Sequence, residues 1–428
     1  MPGTARQLTV DDARAHLRSQ CVTPSLTTGR VGLECEWHVV RVNEPCAVVP
    51  LEELRTQMAV LGPLPGGSAV TYEPGGQLEL SGPALDGASA SAAVTAMMAD
   101  VDTVRRHLGR VDIALVGTGV DALRPSQRLL CAPRYDAMEA YFDSFGRHGR
   151  VMMTRTAALQ INIDNGRDAD EIERRWRRVH ILGPTLVAAF ANSPLACGLP
   201  TGWRSTRLAN WWAMDGTRTA PFGDRHRLED WPDAALDARL MFVRVDDEHY
   251  VPMIEPITFR EWILCGHDVG DGVGVGYPTL DDLDYHLTTL FPPVRPRGWL
   301  EIRYLDALPD PWWRVAAAVV TTLIDDPAVA VIAEHVARPT ARRWMSAARH
   351  ALSDPALARS ARACFQLAID AMARRGVDDA LTACCAEYAE RWVLVGRTPA
   401  DDLLDAWSAR WSAPATATAN GPKEHAWV

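Results

Sequence analysis

Glu34 and Glu36 stand two residues apart in Val31-Gly32-Leu33-Glu34-Cys35-Glu36-Trp37-His38-Val39, whose apolar and polar residues alternate as in a half-buried β-strand. Both carboxylates then share one strand face, where like charges disfavour each other's ionisation unless a cation lies between them. Glu73 and Glu79, on either side of Pro74-Gly75-Gly76, add two more hard oxygen donors, a set suited to Mg²⁺ or Mn²⁺ rather than zinc. A solvated acidic face on an edge strand fits the same spacing.

Further along, Trp299-Leu300-Glu301-Ile302-Arg303-Tyr304-Leu305 sets Glu301 and Arg303 on one strand face. Such a pair is either a structural ion pair or a metal-binding carboxylate beside a cation that meets charge developing in a transition state. Gln160 and Asn162 alternate with Leu159, Ile161 and Ile163, and suit cross-strand hydrogen bonding as well as substrate contact. Arg204, Arg207 and Arg218 fall in a stretch crowded with Trp203, Trp211 and Trp212. Guanidinium captures a carboxylate with two parallel hydrogen bonds, although a loop arginine is as often plain surface. The glycine run Gly270, Gly272, Gly274 and Gly276 has no following helix, so it reads as a mobile loop or lid rather than a dinucleotide fingerprint. His249 lacks a second histidine at helical spacing and reads as structural.

The composition narrows the chemistry. The only lysine among 428 residues is Lys423, which removes P-loops, Schiff-base enzymes and lysine-clamped ATP sites and leaves phosphate chemistry to arginine and metal ions. A net charge of -10 argues against nucleic acid. No secretory apolar segment follows Met1, and the apolar run Val315 to Ile324 stops at Asp325-Asp326 before it could span a bilayer, so a cytoplasmic protein without a membrane partner is expected. Nine cysteines without Cys-x-x-Cys or Cys/His ligand spacing predict reduced thiols packed as small hydrophobes. No obligate protein partner is evident.

Periodicity supplies the elements that must hold these residues. Helices are predicted over about 10–20, 88–108 and 169–190, and strands over 28–42, 111–116, 152–164, 242–252 and 299–305. A further strand pattern at 70–80 is broken at Glu73-Pro74-Gly75-Gly76, and 202–221 reads as a loop. From 311 to 411 the pattern is of amphipathic helices punctuated by Pro327, Pro339, Pro355 and Gly376, followed by a low-complexity tail over 413–428 that is expected to be disordered.

Five segments, taken in order, resemble the plant-like glutamate–cysteine ligases of plants and many bacteria. They are Gly32-Leu33-Glu34-Cys35-Glu36; Tyr72-Glu73-Pro74-Gly75-Gly76-Gln77-Leu78-Glu79; Met153 to Asp164 around Gln160 and Asn162; Ala191-Asn192-Ser193-Pro194 with Ser205-Thr206-Arg207; and Trp299-Leu300-Glu301-Ile302-Arg303. The resemblance is greatest to actinobacterial enzymes that supply γ-glutamylcysteine to ergothioneine synthesis. It implies an α+β fold with a curved antiparallel sheet funnel of the glutamine-synthetase-like type. One catalytic domain is expected over residues 1–412, with a sheet-forming part to 310 and a helical part from 311 to 412.

The resemblance also implies roles. Glu34, Glu36, Glu73, Glu79 and Glu301 correspond to carboxylates that hold two or three Mg²⁺ ions, replaceable by Mn²⁺, against the phosphates of ATP. Arg303 corresponds to the catalytic cation on the transferred phosphoryl group. Gln160, Asn162, Arg207 and Arg218 fall near the L-glutamate substrate, and L-cysteine is the implied amine. Leu208-Ala209-Asn210-Trp211-Trp212 departs from the aromatic- and threonine-rich segment of plant enzymes, so the amino-acid pocket is expected to differ in detail. A ligase of the same fold with another amine acceptor, or a silent ATP- and metal-binding relative, are the alternatives.

Overall fold

Every odd residue of the first strand, β1 (Arg30–Arg41), from Val31 to Val39 is buried against the core, whereas Glu34 and Glu36 on its other face are only half-buried. A computed structural model describes residues 7–21, 23–25, 29–221, 227–268 and 275–412. Gly270, Gly272, Gly274 and the tail 413–428 lie outside the described residues.

β1 is the spine of an eight-stranded antiparallel sheet. The other strands are β2 (Ala69–Tyr72), β3 (Leu78–Ser81), β4 (Leu85–Asp86), β5 (Ile113–Val116), β6 (Ala158–Asp164), β7 (Val294–Pro296) and β8 (Trp299–Asp306). Their order is β7-β8-β6-β1-β3-β2, with β4 and β5 also pairing with β1. Glu36 stands opposite Glu79 on β3, Glu34 opposite Gln160 on β6, and Asn162 on β6 opposite Glu301 on β8. Because side chains alternate with a period of two, these registers gather residues distant in sequence onto one face. The pairing of β8 with β6 shifts between Ile302 and Leu305, an irregularity that falls at Arg303.

The helices that matter to the site are α1 (Val10–Cys21), α2 (Leu51–Leu61), α3 (Ser91–Leu108), α4 (Pro133–Asp143), α5 (His148–Arg155), α6 (Ala169–Ala189), α7 (Thr206–Trp212) and α8 (Gly216–Thr219). The apolar sheet face shares one core cluster with α3, α6 and the helix Trp312–Asp325, and that cluster continues into the helices beyond residue 311. Pro327 and Pro355 stand at helix N-termini, each behind a capping aspartate, Asp326 or Asp354, as proline's fixed φ and missing N–H favour. No single helix among the described residues is long and apolar enough to cross a membrane.

Two predicted elements differ. The strand expected over 152–164 begins as helix α5 and becomes strand only at Ala158, and the predicted loop over 202–221 contains α7 and α8. The paired runs near 242–252 form a separate two-stranded hairpin. Only Cys21, Cys35, Cys364 and Cys385 are buried; Cys46, Cys131, Cys197 and Cys265 are exposed, which corrects the expectation of packed thiols for those four. His249 is exposed and bonded to Asp246, consistent with a structural role.

Candidate active site

The strand face that gathers the glutamates floors a cavity of about 260 Å³ lined by Glu34, Glu36, Glu73, Glu79, Gln160, Arg207, Glu301 and Arg303. Eight of the ten residues that the family resemblance assigns to the site therefore converge. The Glu73-Pro74-Gly75-Gly76 turn folds as it does because Gly75 passes against α5, where a Cβ would lie 2.0 Å from the Thr154 carbonyl oxygen, and because Gly76 takes a φ of +82°. This turn brings Glu73 over the strand face that carries Glu79.

The two sides of the cavity carry opposite electrostatic conditions. On the β1–β3 side, burial and then the charges of neighbouring glutamates push Glu34, Glu36 and Glu73 above the ordinary carboxylate range. Their hydrogen-bond donors are neutral: Gln160 Nε2 to Glu36 at 3.0 Å, Asn162 Nδ2 to Glu34 at 2.8 Å, and the Thr71 and Ser81 hydroxyls to Glu79 at 2.7 and 3.0 Å. Arg303, acting on Glu34 and Glu73, and Arg207, acting on Glu36, offset this only in part.

On the β8 side, Glu301 is 2 % exposed. Burial works against its ionisation, but Arg303 and Arg295 hold it down at about 2. Arg295 grips both its oxygens, and Arg303 lies 3.1 Å from one of them while donating to Gln160 Oε1 at 2.6 Å. Arg207 donates to the Arg303 carbonyl at 2.8 Å and lies over the Trp211 ring, 5.2 Å from its centroid. Its Nε and Nη1 are buried without a partner, as is Nε of Arg303. Buried donors without partners are rare in folded proteins, and Arg207 and Arg303 both line the cavity.

A divalent cation fits the carboxylate side. Among the described residues no three carboxylate, imidazole or thiol side chains converge tightly enough to enclose an ion alone. Mg²⁺ typically takes one or two carboxylates and completes its shell with phosphate oxygens and water. Glu301 enters the cavity already paired with Arg295 and Arg303.

A family model for glutamate–cysteine ligase family 2 (GCS2) matches residues 30–424. The chain belongs to this family. It is 42% identical over 411 residues to glutamate–cysteine ligase EgtA of Mycolicibacterium smegmatis, covering 95% of this chain and 93% of that one. It is 30% identical over 439 residues to the chloroplastic glutamate–cysteine ligase of Arabidopsis thaliana, covering 94% and 81%. Among solved structures, a glutamate–cysteine ligase of Francisella tularensis in complex with AMP aligns with 91% of this chain and 86% of that chain, at 13% identity and a TM-score of 0.41.

Two of the family-derived positions stand apart from the cavity. Asn162 lies just beyond it, bonded to Glu34 and accepting from the Trp299 indole at 3.1 Å. Arg218 lies outside the cavity lining: its buried guanidinium is occupied by Asp215, the Thr289 carbonyl and hydroxyl and the Arg239 carbonyl, and it pins α8. Arg204 likewise pairs with Asp401. Of the three neighbouring tryptophans only Trp211 lines the cavity; Trp203 and Trp212 pack on the core.

Sequence reasoning missed Arg295, Arg297, Arg134, Tyr135, Met152, Met153 and Phe291, all of which line the cavity. The signal for Arg295 lay in register: the hairpin joining β7 to β8 sets it opposite Glu301. The apolar lining comes from the small second core formed by α4 and α5, neither of which was predicted.

Proposed function

We propose that this protein is an ATP- and Mg²⁺-dependent glutamate–cysteine ligase that forms γ-glutamylcysteine, ADP and phosphate. The observation that carries the reading is the convergence of Glu34, Glu36, Glu73, Glu79 and Glu301 with Arg207 and Arg303 around one cavity. The family and the relatives named EgtA support glutamate and cysteine as substrates and ergothioneine synthesis as the destination of the product.

An unactivated γ-carboxylate is a poor electrophile. Its oxygen attacks the terminal phosphorus of ATP, ADP leaves, and the cysteine amine then displaces phosphate from the acyl phosphate with loss of a proton. Both steps place charge on phosphoryl oxygens, and Arg303, fixed by Glu301 and Gln160, is the cation positioned to meet it. Arg207 offers its open donors to a carboxylate of glutamate. Bound Mg²⁺ would supply neutralisation of the phosphates, and Glu34, Glu36, Glu73, Glu79 and Glu301 would hold it. Residues 1–412 act as one catalytic unit, an assignment supported by the core cluster that runs from the sheet into the later helices.

The test is ADP release by the purified protein with ATP, Mg²⁺ and L-glutamate, with and without L-cysteine, alongside mass detection of the dipeptide. Cysteine-dependent release with γ-glutamylcysteine formed is the expected result. Release with a different amine alone moves the substrate, and no release under a broad amine screen leaves a silent scaffold.

A further inference from the structure

Arg207 keeps a buried positive charge with two open donors, and the structure shows what holds it there. Asp306 ends β8 and is 2 % exposed. The hydrogen bonds to its carboxylate are all donated to it: the Asn192 N–H at 2.9 Å and the Ser193 hydroxyl at 2.7 Å to one oxygen, and the Ser205 hydroxyl at 2.9 Å to the other. Gly119 leaves room for this carboxylate, since a Cβ there would lie 2.4 Å from its carboxyl carbon.

The two serines pass the constraint on to α7. The Ser193 hydroxyl accepts the Arg207 N–H at 3.3 Å, and the Ser205 hydroxyl caps the helix by accepting the Leu208 N–H at 3.3 Å. Both ends of that link hang from one carboxylate, which fixes the rotation of the first turn and so the direction of Arg207. The same carboxylate is the largest compensating charge on the Arg207 cation, ahead of Glu36, and it opposes the effect of burial.

We propose that Asp306 is a positioning residue for the glutamate site, which aims Arg207 through Ser193 and Ser205 and supplies the counter-charge that lets this cation stay buried with donors open. The proposal rests on the reading that Arg207 binds a carboxylate of glutamate. A buried unpaired cation is costly, so without Asp306 the side chain would turn toward another acceptor or solvent.

The experiment is initial-rate kinetics with glutamate, ATP and cysteine varied in turn, on Asp306→Asn, Ser205→Ala, Ser205→Thr, Arg207→Gln and the Asp306→Asn/Arg207→Gln double variant, each checked for a cooperative thermal melt. Asp306→Asn is expected to raise KM for glutamate on the order of tenfold, with KM for ATP and cysteine within about twofold of the parent, and the double variant should be no worse than Arg207→Gln alone. Ser205→Ala removes one donor to Asp306 together with the cap of α7 and carries the test if Asp306→Asn does not fold; it should give a smaller rise confined to glutamate, which Ser205→Thr reverses. Equal losses for all three substrates, or effects of Asp306→Asn and Arg207→Gln that multiply, would overturn the proposal. So would an unchanged glutamate KM in Asp306→Asn and Ser205→Ala beside a raised one in Arg207→Gln. An unchanged glutamate KM in Arg207→Gln would defeat the reading of Arg207 itself, and the proposal with it.

Discussion

Glu36 and Glu301 are both glutamates on the inner face of one sheet, yet the cavity treats them oppositely. Glu36 receives the amide of Gln160 and the N–H of Ala158, and its ionisation is opposed by burial and by Glu73 and Glu79. Glu301 is held as an anion by Arg295 and Arg303. The contrast shows that the type of residue does not set its role. What sets it is whether the neighbouring strand supplies a cation: β7 brings Arg295 to Glu301, whereas β3 brings another glutamate to Glu36. One wall is built complete and organises arginines, and the other is left to be completed by a ligand.

Arg303→Ala gives the largest effect expected from this division. It removes the cation on the transferring phosphoryl group and should lower kcat by ~10³ or more, while the magnesium titration changes little. Near-normal turnover in this variant would show that the complete wall does not take part in the chemistry.

Charge removal on the two walls should have opposite consequences for the metal-free protein. Glu301→Gln leaves Arg295 and Arg303 buried beside a neutral amide and should destabilise the fold by about 3–5 kcal/mol in denaturant titration, the range for breaking a buried ion pair from one side. Glu36→Gln or Glu34→Gln replaces a carboxyl whose ionisation is already opposed and should leave the metal-free protein about as stable as the parent, but each should raise the Mg²⁺ concentration needed for half-maximal activity by about tenfold or more. Equal stability losses on both walls would erase the distinction, and an unchanged magnesium titration in Glu34→Gln and Glu36→Gln would remove the metal from that wall.

Why one wall was easier to read than the other follows from the length of its elements. β1, β6 and β8 are long enough for a period-two pattern, so Glu34, Glu36, Gln160, Asn162, Glu301 and Arg303 could each be assigned to a face from sequence. β7 has three residues, which is too few for a period, and Arg295 becomes visible only through its pairing with Glu301. α5 was read as the start of a strand because Met152-Met153-Thr154 carries no helical signature apart from its packing against α4. α7 does have a start signal in Ser205, but the tryptophans and arginines that follow obscured it. Arg218 illustrates a different limit. Sequence places it in the same stretch as Arg207, but only the fold shows that Asp215 and two backbone carbonyls occupy it.

Asn162 offers the finest test of where the two walls meet. Its amide donates to Glu34 on one side, and its carbonyl accepts from the Trp299 indole on the other. A neutral donor to a carboxylate that lacks a cation steadies that carboxylate without satisfying its charge, so Asn162→Ala should loosen Glu34 as a ligand. The hydrogen bond is a partly solvated one, with a net worth of about 1 kcal/mol, and the half-saturating Mg²⁺ concentration should therefore rise by roughly fivefold. Glutamate KM should stay within about twofold, because Arg207 and Gln160 remain in place. The opposite pattern, a raised glutamate KM at an unchanged magnesium requirement, would move Asn162 from the support of the carboxylate wall to the substrate itself and extend the glutamate site past Glu34 to the Trp299 end of the sheet.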